Sequence, residues 1–343
     1  MLGVSNLEDQ RSIHARLEQM LGVPLERTRR EEIGAYATHP AVRALLDFRK
    51  LDALAKYAAD FAERIGVDGR VRCRIDQLGA ATGRMSASGA NLMGIPRDPN
   101  LRRCVIAPTG HVLIDADYAA VDLRVVAHVA GDARLVNLFR QGADPHEATA
   151  AVLLRKSTVT SEERRLGKPF NFKAIYGGGP DAIAAYANTS CGLSLDREQA
   201  SALLRGFFAA YPGVAEWQRR MREQSPVAVR TMSGRIQFFE GGGDDHCARL
   251  AHEGQGTAAD GMKRSLALMF GELDRFGARV VLTVHDSALV ESPTEHAGAV
   301  ADLIESCMQR GMSEFIPTVP VVVDVKIGSN WADMESARSW RPR

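Results

Sequence analysis

The sequence predicts an α+β fold in which a sheet is interrupted by a long helical insertion. Three observations carry that prediction. β-type runs that meet or end in carboxylates occur twice, at HVLIDADYA (111–119) and ARVVLTVHDSALVES (278–292). The chain between them, from about 132 to 226, has mainly helical spacing of its apolar residues. A further strand-like run, TVPVVVDVKIG (318–328), follows near the end. Helix, strands, a helical block and strands again is the order expected when one sheet draws on both sides of an insertion.

Residues 1–65 read as helices. VRALLDFRKLDALAKYAADFAERIG (42–66) has apolar residues at three-and-four spacing, with Gly66 as the stop. Residues 69–100 begin like a strand, then turn rich in Gly, Ser, Asn and Pro, which predicts one strand and an ordered loop. VDLRVVAHVAG (121–131) returns to helical spacing. PDAIAAYANTS and REQASALLRGFFAAYPGVAEWQRRMREQ are the clearest helices of the insertion. TMSGRIQFFEGGGDD (231–245) predicts a hairpin or strand followed by a mobile Gly-rich turn, and residues 246–277 a long helix with glycines inside it. A helix over 295–312 precedes the closing strand.

Composition narrows the class. The 343 residues are 45% apolar and 25% charged, which excludes disorder and a collagen-like repeat and suggests about two domains. No run approaches the roughly 20 apolar residues of a membrane-spanning helix, and the polar N-terminus has no signal core. Cys73, Cys104, Cys191, Cys247 and Cys307 are dispersed and odd in number, against a disulfide framework or a CxxC zinc site. The expectation is a cytoplasmic protein with free thiols. Net charge is +1, so any polyanion partner must be met by local charge. The basic runs at 151–180 and 217–235 read, on charge alone, as solvated helix faces.

Three places suit chemistry. Asp115 and Asp117, two apart at a strand end, share a face, where they either reach a metal or form a turn with solvated acids. His285-Asp286 joins two β runs at a hairpin tip, a second rigid mount for a ligand, or simply a polar turn. Two such carboxylates on one sheet suit a pair of Mg²⁺ ions, which activate an attacking oxygen and stabilise a leaving one. In RRLGKPFNFKAIYGGG (164–179), Arg164, Lys168, Phe172 and Tyr176 recur every four residues. On a helix they form one drifting stripe, about 18 Å long at 1.5 Å per residue. Two cations followed by two aromatics suit a nucleoside triphosphate, or equally an amphipathic helix with buried rings.

The combination is far more specific than its parts. In order along the chain stand TGRMSASGANLMGIP (82–96), DYAAVDLRVVAHVAGD (117–132), RRLGKPFNFKAIYGG (164–178), YPGV (211–214), TMSGR (231–235), QGTAADGMKR (255–264), VHDSALVE (284–291) and VKIGSNW (325–331). Over about residues 42–335 this series resembles the polymerase portion of family A DNA polymerases, the bacterial DNA polymerase I type. The second, third and seventh segments look like that family's motifs A, B and C. The resemblance implies a right-hand polymerase fold: an antiparallel-sheet palm, inserted helical fingers and an abbreviated helical thumb. It divides the chain into a reduced thumb (1–68), palm (69–128), fingers (129–245) and palm again (246–343). The implied reaction adds deoxynucleotides to a primer 3′-hydroxyl on a template.

Carried over by motif, Asp117 and Asp286 are the catalytic metal-binding carboxylates, with the backbone carbonyl of Tyr118 completing a site for two Mg²⁺ ions, which Mn²⁺ can replace. Arg164 and Lys168 grip the triphosphate, and Lys168 donates a proton to the leaving pyrophosphate. Phe172 stacks on the incoming sugar and base, and Tyr176 occupies the templating position. Arg84, Asn91 and Gln255 contact primer-template DNA, and His285 lies near the primer terminus. The expected partners are primer-template DNA, deoxynucleoside triphosphates and a processivity or repair protein. A monomer in the cytoplasm, nucleoid-associated or in a phage's host, is expected, with no membrane association. Only about 40 residues precede the matching region, so no proofreading exonuclease and low processivity are expected, in a repair, phage or mobile-element setting.

Several positions depart from the family. Asp122 replaces the motif A glutamate that pairs with the fingers tyrosine and blocks a ribose 2′-hydroxyl; its shorter side chain predicts weaker exclusion of ribonucleotides. Ser287 replaces the second carboxylate of motif C. Pro169 predicts a kink or a helix restart in the fingers. These changes keep two further readings in play: a nucleotidyltransferase that tolerates ribonucleotides or RNA templates, and an inactive DNA-binding homologue. A metal-dependent nuclease ranks last, because it would have no use for the fingers stripe.

Overall fold

The computed structural model describes residues 9–29, 33–36, 39–239 and 245–341. The Gly-rich turn expected within 231–245 falls mostly outside them. The chain opens with helices α1 (Gln10–Leu21) and α2 (Pro40–Glu63). Strands β1 (Cys73–Asp76) and β2 (Ser86–Gly89) form a two-stranded ribbon, followed by the short helix α3 (Pro99–Arg103). Strand β3 (His111–Tyr118) leads into α4 (Val121–Val129), α5 (Ala133–Arg140), α6 (Pro145–Leu154), α7 (Gly167–Phe172), α8 (Pro180–Ser190), α9 (Arg197–Ala210) and α10 (Pro212–Gln224). A ribbon of β4 (Ala228–Arg230) and β5 (Ile236–Phe238) precedes the long α11 (His246–Met269). Then come β6 (Arg279–Val284), β7 (Ser287–Pro293), α12 (Ala297–Ser313), β8 (Val323–Gly328) and β9 (Glu335–Ser336).

The principal sheet is antiparallel, in the order β6-β7-β3-β8-β9. Its middle strand comes from before the helical insertion and its neighbours from after it. Alternation along β3 sends Ile114, Ala116 and Tyr118 into a core with Met262, Ile304 and Met308 of α11 and α12. The opposite face carries Leu113, Asp115 and Asp117. Near Leu113 it is covered by Met93, Ile95, Leu101 and Trp331. The insertion has its own core, built around Phe139, Phe170, Phe207, Tyr211 and Trp217. A third, small core of Ile13, Leu17, Leu25, Val42 and Leu45 ties α1 to the start of α2.

Polar residues join these parts. The Asp132 carboxylate is almost fully buried. One oxygen caps α5 through Leu135 N (3.0 Å), and the other accepts from Gly213 N (2.8 Å) at the start of α10. One side chain thus satisfies the unpaired donors of two helix ends.

Local expectations fail in three places. The SASG run at 86–89 is a strand, although its composition reads as loop; pairing with β1, not propensity, makes it so. The closing strand begins at Val323 rather than at residue 318. The stripe segment is not one helix. It is a 3₁₀ turn (Glu163–Leu166), α7, and another 3₁₀ turn (Ala174–Tyr176) ended by Gly177 at φ 81°. The restart at Gly167 puts Pro169 in the first turn of α7, where its missing N–H costs nothing.

Candidate active site

The two motif carboxylates meet at one end of the sheet. Asp117 is the penultimate residue of β3, opposite Ser287 on β7 and Asp324 on β8. Asp286 is the second residue of the two-residue turn between β6 and β7. Its carbonyl accepts from Tyr118 N at 3.2 Å, which pins the turn to β3. The Tyr118 ring points away, fully buried, and its hydroxyl donates to Met308 O at 2.7 Å. Strain gathers at this end: His285 (φ 56°) and Ala120 (φ 54°) are two of the four non-glycine residues in left-handed backbone among those described.

Burial sets the electrostatics. It raises the pKa of Asp117, and the neighbouring carboxylates of Asp286 and Asp115 push it further, to about 7. Asp286 is likewise raised, first by burial and then by Asp122. A cation held between partly buried, facing carboxylates would stabilise their charged forms. The donors are hard oxygens, the chemistry Mg²⁺ prefers. Among the described residues, no three His, Cys, Asp or Glu side chains gather as a metal site. Mg²⁺ commonly takes one or two carboxylates and completes its shell with substrate phosphates. Two neighbouring side chains have protein partners of their own. The Ser287 hydroxyl donates to Val284 O (3.2 Å) within the turn. Asp115 accepts from Trp331 Nε1 at 3.1 Å, while its other oxygen is buried without a partner.

The residues of the 164–176 stripe form a second group. Asp144 orients Arg164: one carboxylate oxygen caps α6 through His146 N and Glu147 N (both 2.8 Å), and the other accepts from Arg164 Nη2 at 2.6 Å. Among the described residues Lys168 has no carboxylate or hydrogen-bond partner, and it is half-buried. Phe172 is 46% exposed, an unusual position for a large apolar ring in an ordered helix. Sequence reasoning missed His146. Its ring lies 5.4 Å from that of Phe172 and is oriented by the buried Asn171, whose amide approaches Nδ1 at 3.1 Å. Burial, reinforced by Arg164, lowers its pKa, so it is neutral near pH 7. The only cue in the sequence is a histidine at the start of a helix, in Asp-Pro-His, which is weak. Gly167 makes the close approach possible, because a Cβ there would sit 2.1 Å from the His146 carbonyl.

Tyr176 departs from the stripe. It turns inward to 9% exposure, and a Cβ at Gly254 of α11 would reach within 2.7 Å of its ring. Burial, then the nearby Asp122 carboxylate, raises the pKa of its phenol, yet the hydroxyl makes no hydrogen bond of normal geometry. The carboxylate is taken by Arg84 instead, at 3.0 and 3.2 Å. The side chain at position 122, one methylene shorter than the glutamate the resemblance implies, is held by an arginine and stays close to the Tyr176 hydroxyl.

The remaining candidates are dispersed. Gln255, next to Gly254, is half-buried and its amide has no partner among the described residues. His285 is exposed at the hairpin tip. Asn91 is exposed, and its side-chain oxygen caps the turn Leu92–Gly94 through Gly94 N (3.0 Å). In the basic runs, Arg165 pairs with Glu162 and Arg219 with Glu216 (both 2.7 Å), as solvated helix faces would. No helix among the described residues is long and apolar enough to cross a membrane.

The chain is similar to several known proteins. The thermostable DNA polymerase I of Thermus aquaticus is 33% identical over 311 residues, covering 85% of this chain and 36% of that protein. The DNA polymerase I of Aquifex aeolicus is 32% identical over 305 residues, covering 87% of this chain and 52% of that protein. The chain thus spans between about a third and a half of the length of these relatives. A solved structure described as the POL domain of Pol1 from M. smegmatis in complex with DNA primer-template and dNTP superposes with a TM-score of 0.86 at 25% identity, covering 95% of this chain and 61% of that one. The sequence profile of DNA polymerase family A matches residues 15–333, which takes in both carboxylate strands and the whole helical insertion, and the chain belongs to that family.

Proposed function

We propose that this chain is a template-directed DNA polymerase that adds deoxynucleotides to a primer 3′-hydroxyl. The observation that carries this reading is the pairing of two half-sites. A sheet end presents Asp117 and Asp286, and a fingers segment presents Arg164, the unpaired Lys168 and the exposed ring of Phe172. A binding module has no need of both, and a nuclease has no use for the second. The relatives' names and the primer-template and dNTP in the solved relative support the same reading.

Asp117, Asp286 and the Tyr118 carbonyl would hold two Mg²⁺ ions, which supply activation of the 3′-oxygen and neutralisation of charge on the leaving phosphates. The chain's own side chains do the rest. Arg164 and Lys168 bind the triphosphate, with neutral His146 alongside as a hydrogen-bond donor through Nε2. As the 3′-oxygen bonds to the α-phosphorus and the bond to pyrophosphate breaks, Lys168 gives its proton to the leaving oxygen, where negative charge builds. Phe172 stacks against the sugar and base, and Tyr176 marks the templating position. Arg84, Asn91, Gln255 and His285 follow the primer-template. On this reading residues 1–68 act as the thumb, 69–128 with 246–343 as the palm, and 129–245 as the fingers.

One observation extends the reading to sugar choice. Asp122 is drawn to Arg84 and leaves the Tyr176 hydroxyl unpaired, so ribonucleotides are excluded less strongly than a closed carboxylate–phenol pair would allow. Primer extension on a recessed DNA duplex with Mg²⁺, comparing deoxynucleotides with ribonucleotides beside an Asp117→Ala control, tests both statements. Templated extension that vanishes in the control is expected. Absence of extension with any nucleotide would overturn the polymerase reading.

A further inference from the structure

The TMSGR segment (231–235) has no part in the chemistry above, yet its side chains surround one buried carboxylate. Asp260 of α11 is 7% exposed. One of its oxygens accepts from Thr231 Oγ1 (2.8 Å) and Ser233 Oγ (2.7 Å), and the other from Arg235 Nε (2.9 Å), with Lys263 Nζ at 3.3 Å. Both cations reach onward to the same place. Arg235 Nη2 donates to the carbonyl of Thr82 at 2.7 Å, and Lys263 Nζ to the carbonyl of Gly83 at 3.0 Å. The next residue is Arg84, whose guanidinium holds Asp122.

The passage is built for that reach. Gly83 has φ +79°, and a Cβ there would lie 2.5 Å from the Arg235 guanidinium. A Cβ at Gly256 would lie 2.8 Å from the same group and 3.1 Å from the Thr82 carbonyl. The guanidinium therefore runs through a slot between two glycines to grasp a backbone carbonyl far away in sequence. Two charge-assisted bonds on successive carbonyls define the backbone before Arg84 better than an ordinary loop contact would.

We propose that Asp260, Arg235 and Lys263 form a clamp of positioning residues. By fixing the carbonyls of Thr82 and Gly83 they set the reach of Arg84 to Asp122, and through it the selectivity for the sugar of the incoming nucleotide. The functional half of this inference rests on the polymerase reading; the positional half does not.

The test is a double-mutant cycle. Lys263→Met removes one arm of the clamp and leaves the Arg235–Asp260 pair in place. It is made in the wild-type background and in Arg84→Ala, with Lys263→Arg as the conservative variant. Steady-state kcat and KM are measured for a deoxynucleotide and its ribonucleotide counterpart. Amide hydrogen exchange is followed for peptides covering 80–86. The expected result for Lys263→Met alone is a roughly tenfold loss of kcat/KM, the scale of one hydrogen bond to a charged group. The deoxy-to-ribo ratio should change, exchange over 80–86 should speed up, and Lys263→Arg should restore most of the loss. In Arg84→Ala the same change should cost little further. An equal fold-loss in both backgrounds, or an unchanged sugar ratio beside a merely lowered melting temperature, overturns the proposal. If the wild-type chain extends no primer, the polymerase reading has failed. Exchange then decides the clamp: faster exchange over 80–86 in Lys263→Met supports it, and unchanged exchange overturns it.

Discussion

Replacing Asp117 by asparagine should make the metal-free protein more stable while abolishing any metal-dependent activity. The Asp117 carboxyl is lifted from 3.8 to about 7 by burial and by Asp286 and Asp115. An acid whose folded pKa lies above its unfolded one binds more protons when folded. Its contribution therefore falls as pH rises from about 4 to about 7, and above that range the ionised form is a net cost. At 1.36 kcal/mol per pKa unit, the full shift is worth about 4 kcal/mol, or about 2 kcal/mol if Asp286 takes up part of the repulsion. At about 2.1 cal/mol/K per residue of unfolding entropy, each kcal/mol moves the melting temperature of a chain this long by about 1.4 °C. Asp117→Asn should thus melt about 3–6 °C higher at pH 8 in EDTA. The gain should shrink to about 0.6 kcal/mol near pH 4, where the folded carboxyl is protonated and about half of the unfolded carboxyls are ionised. Scanning calorimetry in EDTA at the two pH values reads this directly. A variant no more stable than wild type at pH 8, or an equal gain at pH 4, would refute the electrostatic argument.

Three further outcomes follow from the same geometry. Asp122→Glu lengthens the carboxylate toward the unpaired Tyr176 hydroxyl and should sharpen discrimination against ribonucleotides by about tenfold in kcat/KM ratios; an unchanged ratio would dissociate this residue from sugar choice. Phe172→Tyr puts a hydroxyl where an incoming 3′-hydroxyl is missing, so dideoxynucleotides should terminate synthesis at least about tenfold more readily than in wild type, and equal termination would remove Phe172 from the nucleotide site. Gly254→Ala drives a methyl to within 2.7 Å of the Tyr176 ring, which should cost about 1–3 kcal/mol in denaturant melts; a neutral result would mean that the ring moves freely.

Much of the fold is legible in residue order because helical and strand periodicities are local. The long helices α2, α9, α10 and α11 and the hairpin of β6 and β7 all follow from spacing and from Gly, Pro and Asp punctuation. Strand β2 does not, because a Ser-Ala-Ser-Gly run becomes a strand only when β1 lies beside it. The site is legible in its residue types, since the carboxylate and cation motifs are contiguous. His146 was not, because its place beside Phe172 depends on Gly167 letting α7 close against α6.

Residue order thus settled the α+β class and the family, and it named the carboxylates, cations and rings proposed for the site. Folding settled which of them touch. Asp122 bonds Arg84, Ser287 serves its own turn, and Tyr176 leaves the stripe to pack on α11. The reason is physical: a four-residue spacing specifies a common face only while one helix continues. Here the helix restarts before Pro169 and stops at Phe172, and the 3₁₀ turn after it ends at a left-handed glycine, so the final direction of each side chain is set by contacts with chain distant in sequence.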